Sequence, residues 1–254
     1  MSSITIALIS AGCIFGGVLL GMFLKSRLPE HHLSNESKET VKLGAGMLAT
    51  LSALILGLLV SSAKSTFDTM NAEVVQAAAK LIYLDRVLAG YGPETGPARE
   101  VLRQTVAARV QMIWPEDRKN TGAGLAAFER ANSLETFQLK LRELTPANDL
   151  QRQMLQQAQQ LCSDMQQARW LAIEQTQAAL PVPFLVVVLF WLTALHMSFG
   201  LFAPRNATVI AVLLLCAVSV SGAIFLILEM SHPLSGFIKV SSAPMLKALE
   251  HLGQ

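Results

Sequence analysis

The residue types that most often carry chemistry, histidine and neighbouring acids, come together at one place in this sequence. Glu30, His31 and His32 are consecutive, and Glu36 and Glu39 follow within a few residues. Imidazole nitrogens and carboxylate oxygens are ordinary zinc ligands. However, adjacent histidines on a helix point about 100° apart, and no pair of histidines occurs at i, i+4 spacing. The pattern therefore favours a solvated linker, and we expect no metal and no cofactor.

Other catalytic patterns are missing as well. Gly122 and Gly124 lack the third glycine and the preceding strand of a dinucleotide site, so they indicate a loop. No serine lies in a nucleophile elbow, and residues 65–180 contain no histidine. Without a nucleophile–base pair or a metal site, we expect that the protein is not an enzyme.

Four apolar stretches must position whatever chemistry the chain performs. Each is about 21 residues long and free of acids, lysine and arginine, and a helix needs roughly 20 apolar residues to cross the hydrocarbon core of a bilayer. The chain is also 52% hydrophobic and only 15% charged, which argues against a soluble protein. The stretches form two pairs: Ile4–Leu24 with Leu43–Ala63, and Pro183–Ala203 with Ala207–Leu228.

The pairs of spans define the expected organisation of the chain. Residues 1–64 hold the first two spans and a basic linker, residues 65–180 a polar domain, residues 181–229 the last two spans, and residues 230–254 a short tail. The tail is expected to be either an amphipathic helix on the membrane surface or a flexible, solvated segment. The polar domain carries 12 lysines and arginines against 13 acids, so it offers no basic surface for nucleic acid.

Apolar residues beyond the second span continue in steps of three and four, which predicts that this span extends as one helix to Gly90. We call these residues the coiled seam: Phe67, Met70, Val74, Leu81, Leu84 and Leu88. Further helices are predicted over Pro97–Trp114, over Ser133–Leu144 and after Pro146. No strand pattern occurs, so the predicted fold is all-α: four membrane helices in two pairs flanking a helical, coiled-coil-like domain.

Small residues recur at i, i+4 spacing in the first two spans. The first span pairs Gly12 with Gly16 and Gly17 with Gly21. The second carries a longer series, the small-residue ladder: Ala45, Ala49, Ala53, Gly57 and Ser61. Small residues let helix backbones approach closely in lipid, so the ladder predicts a neighbouring helix from the same chain or from another subunit. The candidate pore or subunit interface is Thr50, Ala53, Gly57 and Ser61.

His196 is the only ionisable residue near the middle of a span. An intramembrane ionisable residue is a functional candidate by default. The alternative is a neutral histidine that bonds a backbone carbonyl on an adjacent helix.

The loop charges predict an orientation. Lys25, Arg27, Lys38 and Lys42 lie in the linker between the first two spans, and Arg205 lies in the turn between the last two. Short basic loops remain in the cytoplasm, whereas long domains are translocated largely regardless of charge. We therefore expect both termini and residues 65–180 on the extracytoplasmic side.

The layout and several local strings resemble the bacterial bestrophin-like proteins over essentially the whole chain. The strings are Leu28-Pro-Glu-His-His-Leu-Ser34, Val41-Lys-Leu-Gly44, Ala63-Lys-Ser-Thr-Phe-Asp68, Phe199-Gly-Leu-Phe-Ala-Pro-Arg-Asn-Ala-Thr208 and Ile238-Lys-Val-Ser-Ser-Ala-Pro244. The resemblance implies a multi-pass protein of the bacterial inner membrane. It also implies kinship with bestrophins, which are pentameric anion channels with a pore lined by the second span. In bestrophins the helical domain is cytoplasmic, opposite to the orientation predicted from the charges, and the pore has aromatic rings that Leu43–Ala63 lacks.

Two functions follow from these observations. The first is a homo-oligomeric ion channel or permeation pathway, whose subunits meet along the second span and the coiled seam. The alternative is a membrane-anchored helical scaffold or envelope sensor that binds an unknown partner protein through residues 65–180. Both place the chain in a lipid bilayer, and only the first requires ions and self-association.

Overall fold

The computed structural model of the chain describes residues 2–29, 34–115, 133–177 and 182–254. Within these ranges the chain forms eight α-helices and no β-strand, which confirms the all-α prediction. The helices are α1 Ser3–Lys25, α2 Asn35–Tyr91, α3 Gly96–Ile113, α4 Ser133–Arg142, α5 Asp149–Gln177, α6 Val182–Phe202, α7 Ala207–Met230 and α8 Ala243–His251.

Four of the described helices, namely α1, α2, α6 and α7, are long and apolar enough to cross a membrane. This matches the four predicted spans. The second span begins eight residues before Leu43 and continues without interruption, so that α2 is 57 residues long. The predicted continuation of this span into the polar domain is therefore present.

The chain divides into two compact units. The membrane unit comprises Met1–Phe67 and Ala178–Lys239, and the helical unit comprises Asp68–Gln177 and Val240–Gln254. Residues 240–254 thus belong to the helical unit, although the fourth span separates them from the rest of it in sequence.

Local side chains explain where several helices begin and end. The Ser2 hydroxyl accepts a hydrogen bond from the Thr5 backbone N–H, and the Asn206 side chain accepts one from the Val209 N–H, as N-caps do. At the end of α2, the Thr95 hydroxyl lies 2.7 Å from the Leu88 carbonyl and 2.8 Å from the Gly92 carbonyl. Gly92 has a φ of 140°, which a residue with a side chain rarely adopts.

The core of the membrane unit brings α1, α2, α6 and α7 together. Its buried residues are Ile14, Leu59, Ala63, Val188, Leu192, Ala217, Ile224, Ile227 and Leu228. Since every span contributes to this cluster, the four spans form one bundle within the chain.

The helical unit is built around α3, which packs against α4 and α8, while α4 also packs against α5. The indole N–H of Trp114 donates to the Val240 carbonyl at 2.8 Å, and Val240 is buried. Ala248 and Leu252 are also buried. The sequence suggested that this tail lies on the membrane surface or is solvated. In the structure α8 packs on α3, so that its apolar face is covered by the helical unit.

Candidate functional site

The first span uses its glycines for contact within the chain. A Cβ atom placed on Gly17 would lie 2.7 Å from the Thr193 carbonyl oxygen, and one on Gly21 would overlap the Met197 carbonyl. From the other side, a Cβ on Gly200 would overlap the Val18 carbonyl. The atoms in the way belong to backbone, so they cannot move aside as a flexible side chain could. The spacing of Gly17 and Gly21 therefore lets α1 and α6 touch backbone to backbone.

The second span is much less covered. In the most apolar window of α1, 33% of the residues are buried, against 11% in that of α2. The buried residues of α2 include Ser52, Leu59 and Ala63, and the last two belong to the core cluster of the four spans. Ile55 and Leu56 also pack against this cluster, but the opposite side of the segment faces away from the described chain, with Leu54 and Leu58 more than 60% exposed.

The candidate interface residues lie on that open side of α2. Thr50, Ala53, Gly57 and Ser61 are all exposed, and nothing lies within 4 Å of a Cβ built on Gly57. At 100° per residue, Thr50, Gly57 and Ser61 fall within about 40° of one another, directly opposite the buried Leu59. The ladder drifts around the helix by about 40° at each step, so that Ala45 is buried while its upper members are open.

The hydroxyl groups of the membrane unit differ in their bonding. Thr50 donates to the Gly46 carbonyl at 3.0 Å, as is common for hydroxyls within helices. The hydroxyl oxygens of Ser52 and Ser221 are buried and have no hydrogen-bond partner among the described residues. Such groups are rare in folded proteins, and here both lie within the spans.

His196 is a packed histidine in this structure. It is buried, and its Nδ1–H donates to the Leu192 carbonyl of its own helix at 2.8 Å. The ring also meets Phe199 edge-on, with centroids 5.9 Å apart. The hydrogen bond thus stays within α6, whereas the second interpretation given above expected a carbonyl on an adjacent helix.

A buried carboxylate at the end of the fourth span was not among the candidates from the sequence. Glu229 is 3% exposed and accepts hydrogen bonds from the backbone N–H groups of Phe237 and Ile238. Gly236 has a φ of 98°, and a Cβ there would overlap the Glu229 carboxylate. The carboxylate thus holds the loop after α7 in place. Its partners also include the Ser3 hydroxyl at the start of α1, and no local side-chain pattern in the sequence indicates either these backbone groups or a residue so far away.

Two cations join α1 and α6 at one end of the membrane unit. The Lys25 ammonium donates to the Ala203 carbonyl at 2.9 Å, just after α6 ends, and the Arg205 guanidinium donates to the Met22 carbonyl at 2.6 Å in the last turn of α1. Lys25 therefore caps the carboxyl end of α6, and Arg205, which follows α6, caps the carboxyl end of α1. At such ends, unpaired carbonyls and the helix dipole favour positive charge.

The coiled seam is largely covered by the chain itself. Met70, Leu81, Leu84 and Leu88 are buried, and Phe67 and Val74 are half-buried. The sequence placed this seam at a subunit interface. In the structure of one chain, its residues from Leu81 onward already lie in the interior of the helical unit.

A second buried carboxylate organises the helical unit. Asp85 is 1% exposed and forms two hydrogen bonds of 2.8 Å with the Arg99 guanidinium. The Gly253 N–H also reaches Asp85, at 3.3 Å, and Arg99 donates to the Gln254 carbonyl at 2.9 Å. We call this group of four residues the tail staple. The bond to Asp85 raises the pKa of Arg99.

The tail staple joins parts of the chain far apart in sequence, and the sequence reasoning missed it. The available signal was Asp85 itself, a charged residue placed directly after Leu84 within an apolar repeat.

The motifs with metal or dinucleotide chemistry add nothing to the site. Glu30, His31, His32, Gly122 and Gly124 lie outside the described residues. Within the part of the chain that the structure describes, no group of three or more histidine, cysteine or acidic side chains is placed to hold a metal ion.

The comparisons with known proteins point to one family. A family model described as the bestrophin-like domain matches residues 12–245. No curated protein and no solved structure matches the chain.

Proposed function

The chain belongs to the bestrophin-like family of membrane proteins, and from this premise we propose that it assembles into a homo-oligomeric permeation pathway for ions. The observation that carries the proposal is the open face of α2, formed by Thr50, Gly57 and Ser61. This face combines small residues with hydroxyl groups and lies opposite the core of the bundle.

The contrast with α1 supports a second copy of the chain as the neighbour on this face. Gly17 and Gly21 show that close helix contact in this protein is made through small residues. The ladder offers the same kind of surface on α2, yet the described chain places no helix there. In lipid, small residues favour helix association because they permit close backbone approach, so α2 helices of several subunits would meet along this face.

Large apolar side chains along one edge of the face are consistent with this arrangement. Leu54 and Leu58 are large, apolar and exposed, as lipid-facing residues are. The hydroxyls of Thr50 and Ser61 supply the polar atoms that a path for ions requires.

Conductance measurements test the proposal directly. Purified protein in planar bilayers should carry an ion-selective current, and Gly57→Leu should abolish it by separating the α2 helices. Gly12→Leu is the matched control, because a Cβ at Gly12 also meets nothing within 4 Å but lies on α1. The absence of ion-selective current from the unmodified protein over a range of salts and pH values would contradict the proposal.

We also propose that the helical unit is extracytoplasmic. The support is the position of Lys25, Arg27, Lys38, Lys42 and Arg205 in the two short loops, because short basic loops remain in the cytoplasm. Bestrophins have the opposite arrangement, so this orientation would separate the present chain from them.

Cysteine labelling distinguishes the two orientations. Gln153→Cys places a thiol on the exposed side of α5, and Ser26→Cys places one just after α1. In intact cells with a permeabilised outer membrane, an impermeant maleimide should label only Gln153→Cys. Native Cys162 should stay unlabelled, because burial raises its pKa to about 12 and the thiolate is the reactive form. Labelling of Ser26→Cys alone would place the helical unit in the cytoplasm.

Partner binding through the helical unit is a second candidate function, and exposed apolar residues on α5 support it. Trp170 is 70% exposed and Leu171 is 53% exposed, and aromatic residues of this kind are typical of interface hot spots. A photo-cross-linking residue at Trp170 should then capture a discrete partner in native membranes. Cross-links to lipid or to other copies of the chain alone would rule out this second function.

A further inference from the structure

The helical unit contains a cleft with a volume of about 280 Å³ beside the end of α2. Tyr91 and Glu94 line it from the α2–α3 turn, and Lys140, Glu143 and Leu144 line it from α4 and the residues after it. The volume corresponds to about nine water molecules and lies just below the range of drug-sized pockets. The cleft therefore fits a small molecule rather than a peptide.

The charges in the cleft do not balance. Lys140 and Glu143 form an ion pair of 2.8 Å with each other. Glu94 also lines the cleft, but it forms no ion pair or hydrogen bond with the described side chains. Since the pair is neutral, one formal negative charge remains on this wall.

Tyr91 gives a second, independent sign of a missing partner. The residue is 4% exposed, and its hydroxyl oxygen is buried without a hydrogen-bond partner among the described residues. Its backbone carbonyl accepts a hydrogen bond from the Gln151 side chain at 3.0 Å, which anchors the residue beside α5. A buried unpaired hydroxyl is unfavourable, and Tyr91 is one of the residues that line the cleft.

We propose that this cleft binds a small organic cation that carries a primary ammonium group. The ammonium contacts the Glu94 carboxylate, a short apolar body packs beside Leu144 and the Tyr91 ring, and an N–H of the ligand donates to the Tyr91 hydroxyl. The cleft lies entirely within the helical unit, so the site is independent of the permeation pathway proposed above.

Saturation-transfer NMR on the full-length protein in detergent tests this assignment, with n-butylammonium as the probe and n-butanol as its uncharged counterpart. We expect the protein to prefer the cation at least tenfold, and Glu94→Gln to remove that preference. Glu250→Gln is the matched control, because Glu250 is exposed on α8 of the same unit, and it should bind like the unmodified protein. Equal binding of the cation by the unmodified protein and Glu94→Gln would overturn the proposal.

Tyr91→Phe provides a readout that does not depend on charge. Without the probe, this variant should have a higher melting temperature, because it lacks the unpaired hydroxyl. With the probe, its thermal shift should be smaller than that of the unmodified protein. A lower melting temperature together with an unchanged thermal shift would show that the hydroxyl is paired within the protein, and would overturn the assignment of Tyr91.

Discussion

The membrane unit and the helical unit hold their helices together by different chemistry. In the membrane unit, Gly17, Gly21 and Gly200 bring two backbones into contact. In the helical unit, the buried Asp85–Arg99 pair joins α2 to α3 and to residues 253–254. Apolar side chains gain little from leaving lipid for protein, so close packing must supply the attraction between spans. In water the hydrophobic effect already gathers helices, and a buried ion pair can then fix which residues meet.

The first two spans, α1 and α2, also differ in how they use their small residues. Both carry small residues at i, i+4 spacing, but α1 uses its glycines within the chain, whereas the open face of α2 has no described neighbour. The spacing alone thus indicates that a helix can approach, and only the structure shows which of these faces are already occupied.

The largest loss of stability is expected at the α1–α6 contact, where the two backbones touch. Gly21→Leu should prevent the spans from packing, because its side chain would overlap the backbone of Met197 and Leu201. Overpacking commonly costs about 1–3 kcal/mol, and here the obstructing atoms are backbone, so we expect at least the upper end of that range. Size-exclusion chromatography should show aggregated or degraded protein. A well-folded Gly21→Leu variant would disprove the tight α1–α6 contact.

Breaking the tail staple should cause the next largest loss of stability. Removing one member of a fully buried pair costs about 3–5 kcal/mol, but Arg99 retains 18% exposure, so we expect about 2–3 kcal/mol for Asp85→Asn. Denaturant unfolding followed by tryptophan fluorescence would measure the loss, with the buried Trp114 as a reporter in the same unit.

The neighbouring pair on α3 is the control for that measurement. Arg103 also contacts Glu100 through two nitrogens, at 3.0 and 2.9 Å, but both side chains are about half exposed. The pKa of Glu100 is lowered by hydrogen bonds from Arg103 and then Gln104, so any contribution is present at neutral pH and is lost as the pH falls through that lowered pKa. Glu100→Gln should cost about 0.5 kcal/mol or less. Equal losses in the two variants would mean that burial does not distinguish the pairs.

A substitution on the open face of α2 should change the assembly of subunits rather than the folding of one chain. Gly57→Leu should leave the helical circular dichroism unchanged, because no described atom lies near that position, but should reduce the oligomeric mass measured by light scattering in mild detergent. A charge at Leu81 would be a poorer test, since Leu81 is buried within one chain and its replacement would disturb the fold. An unmodified protein that is monomeric across mild detergents would contradict the proposed assembly.

A small loss of stability, comparable to that of Glu100→Gln, is expected for the capping cations. Arg205→Gln removes one charged donor from the end of α1, and such caps contribute about 0.3–1 kcal/mol. The melting temperature of the membrane unit should fall slightly, with no change in oligomeric mass. A loss as large as that of Gly21→Leu would show that these cations, rather than the glycines, hold α1 and α6 together.

Much of the fold could be predicted from the sequence because it depends on local periodicity. The span lengths and the three- and four-residue steps after Phe67 indicate helices directly, and the prolines and glycines indicate their ends. The bonding of Asp85 and Glu229 could not be predicted in the same way. Asp85 meets Arg99 only after the chain turns at Gly92. Glu229 is bound by Ser3, which is far away in sequence, and by backbone N–H groups that look alike in every sequence.

The candidate interface was predicted only as a set of residues. Periodicity placed Thr50, Gly57 and Ser61 on one side of α2, but it could not show that Leu59, on the opposite side, packs into the bundle while they remain open. Similarly, the buried hydroxyl of Tyr91 gives no sign in the sequence, since its surroundings come from α4 and from the turn after α2.

The docking of α8 has a consequence for how the protein is made. Trp114, Asp85 and Arg99 are synthesised long before Val240 and Gly253, and two membrane spans intervene between them. The helical unit therefore cannot close on the ribosome as soon as residues 68–177 emerge. It must wait, with the surface of α3 uncovered, until the last hairpin of spans has been inserted into the bilayer and residues 240–254 have been translated.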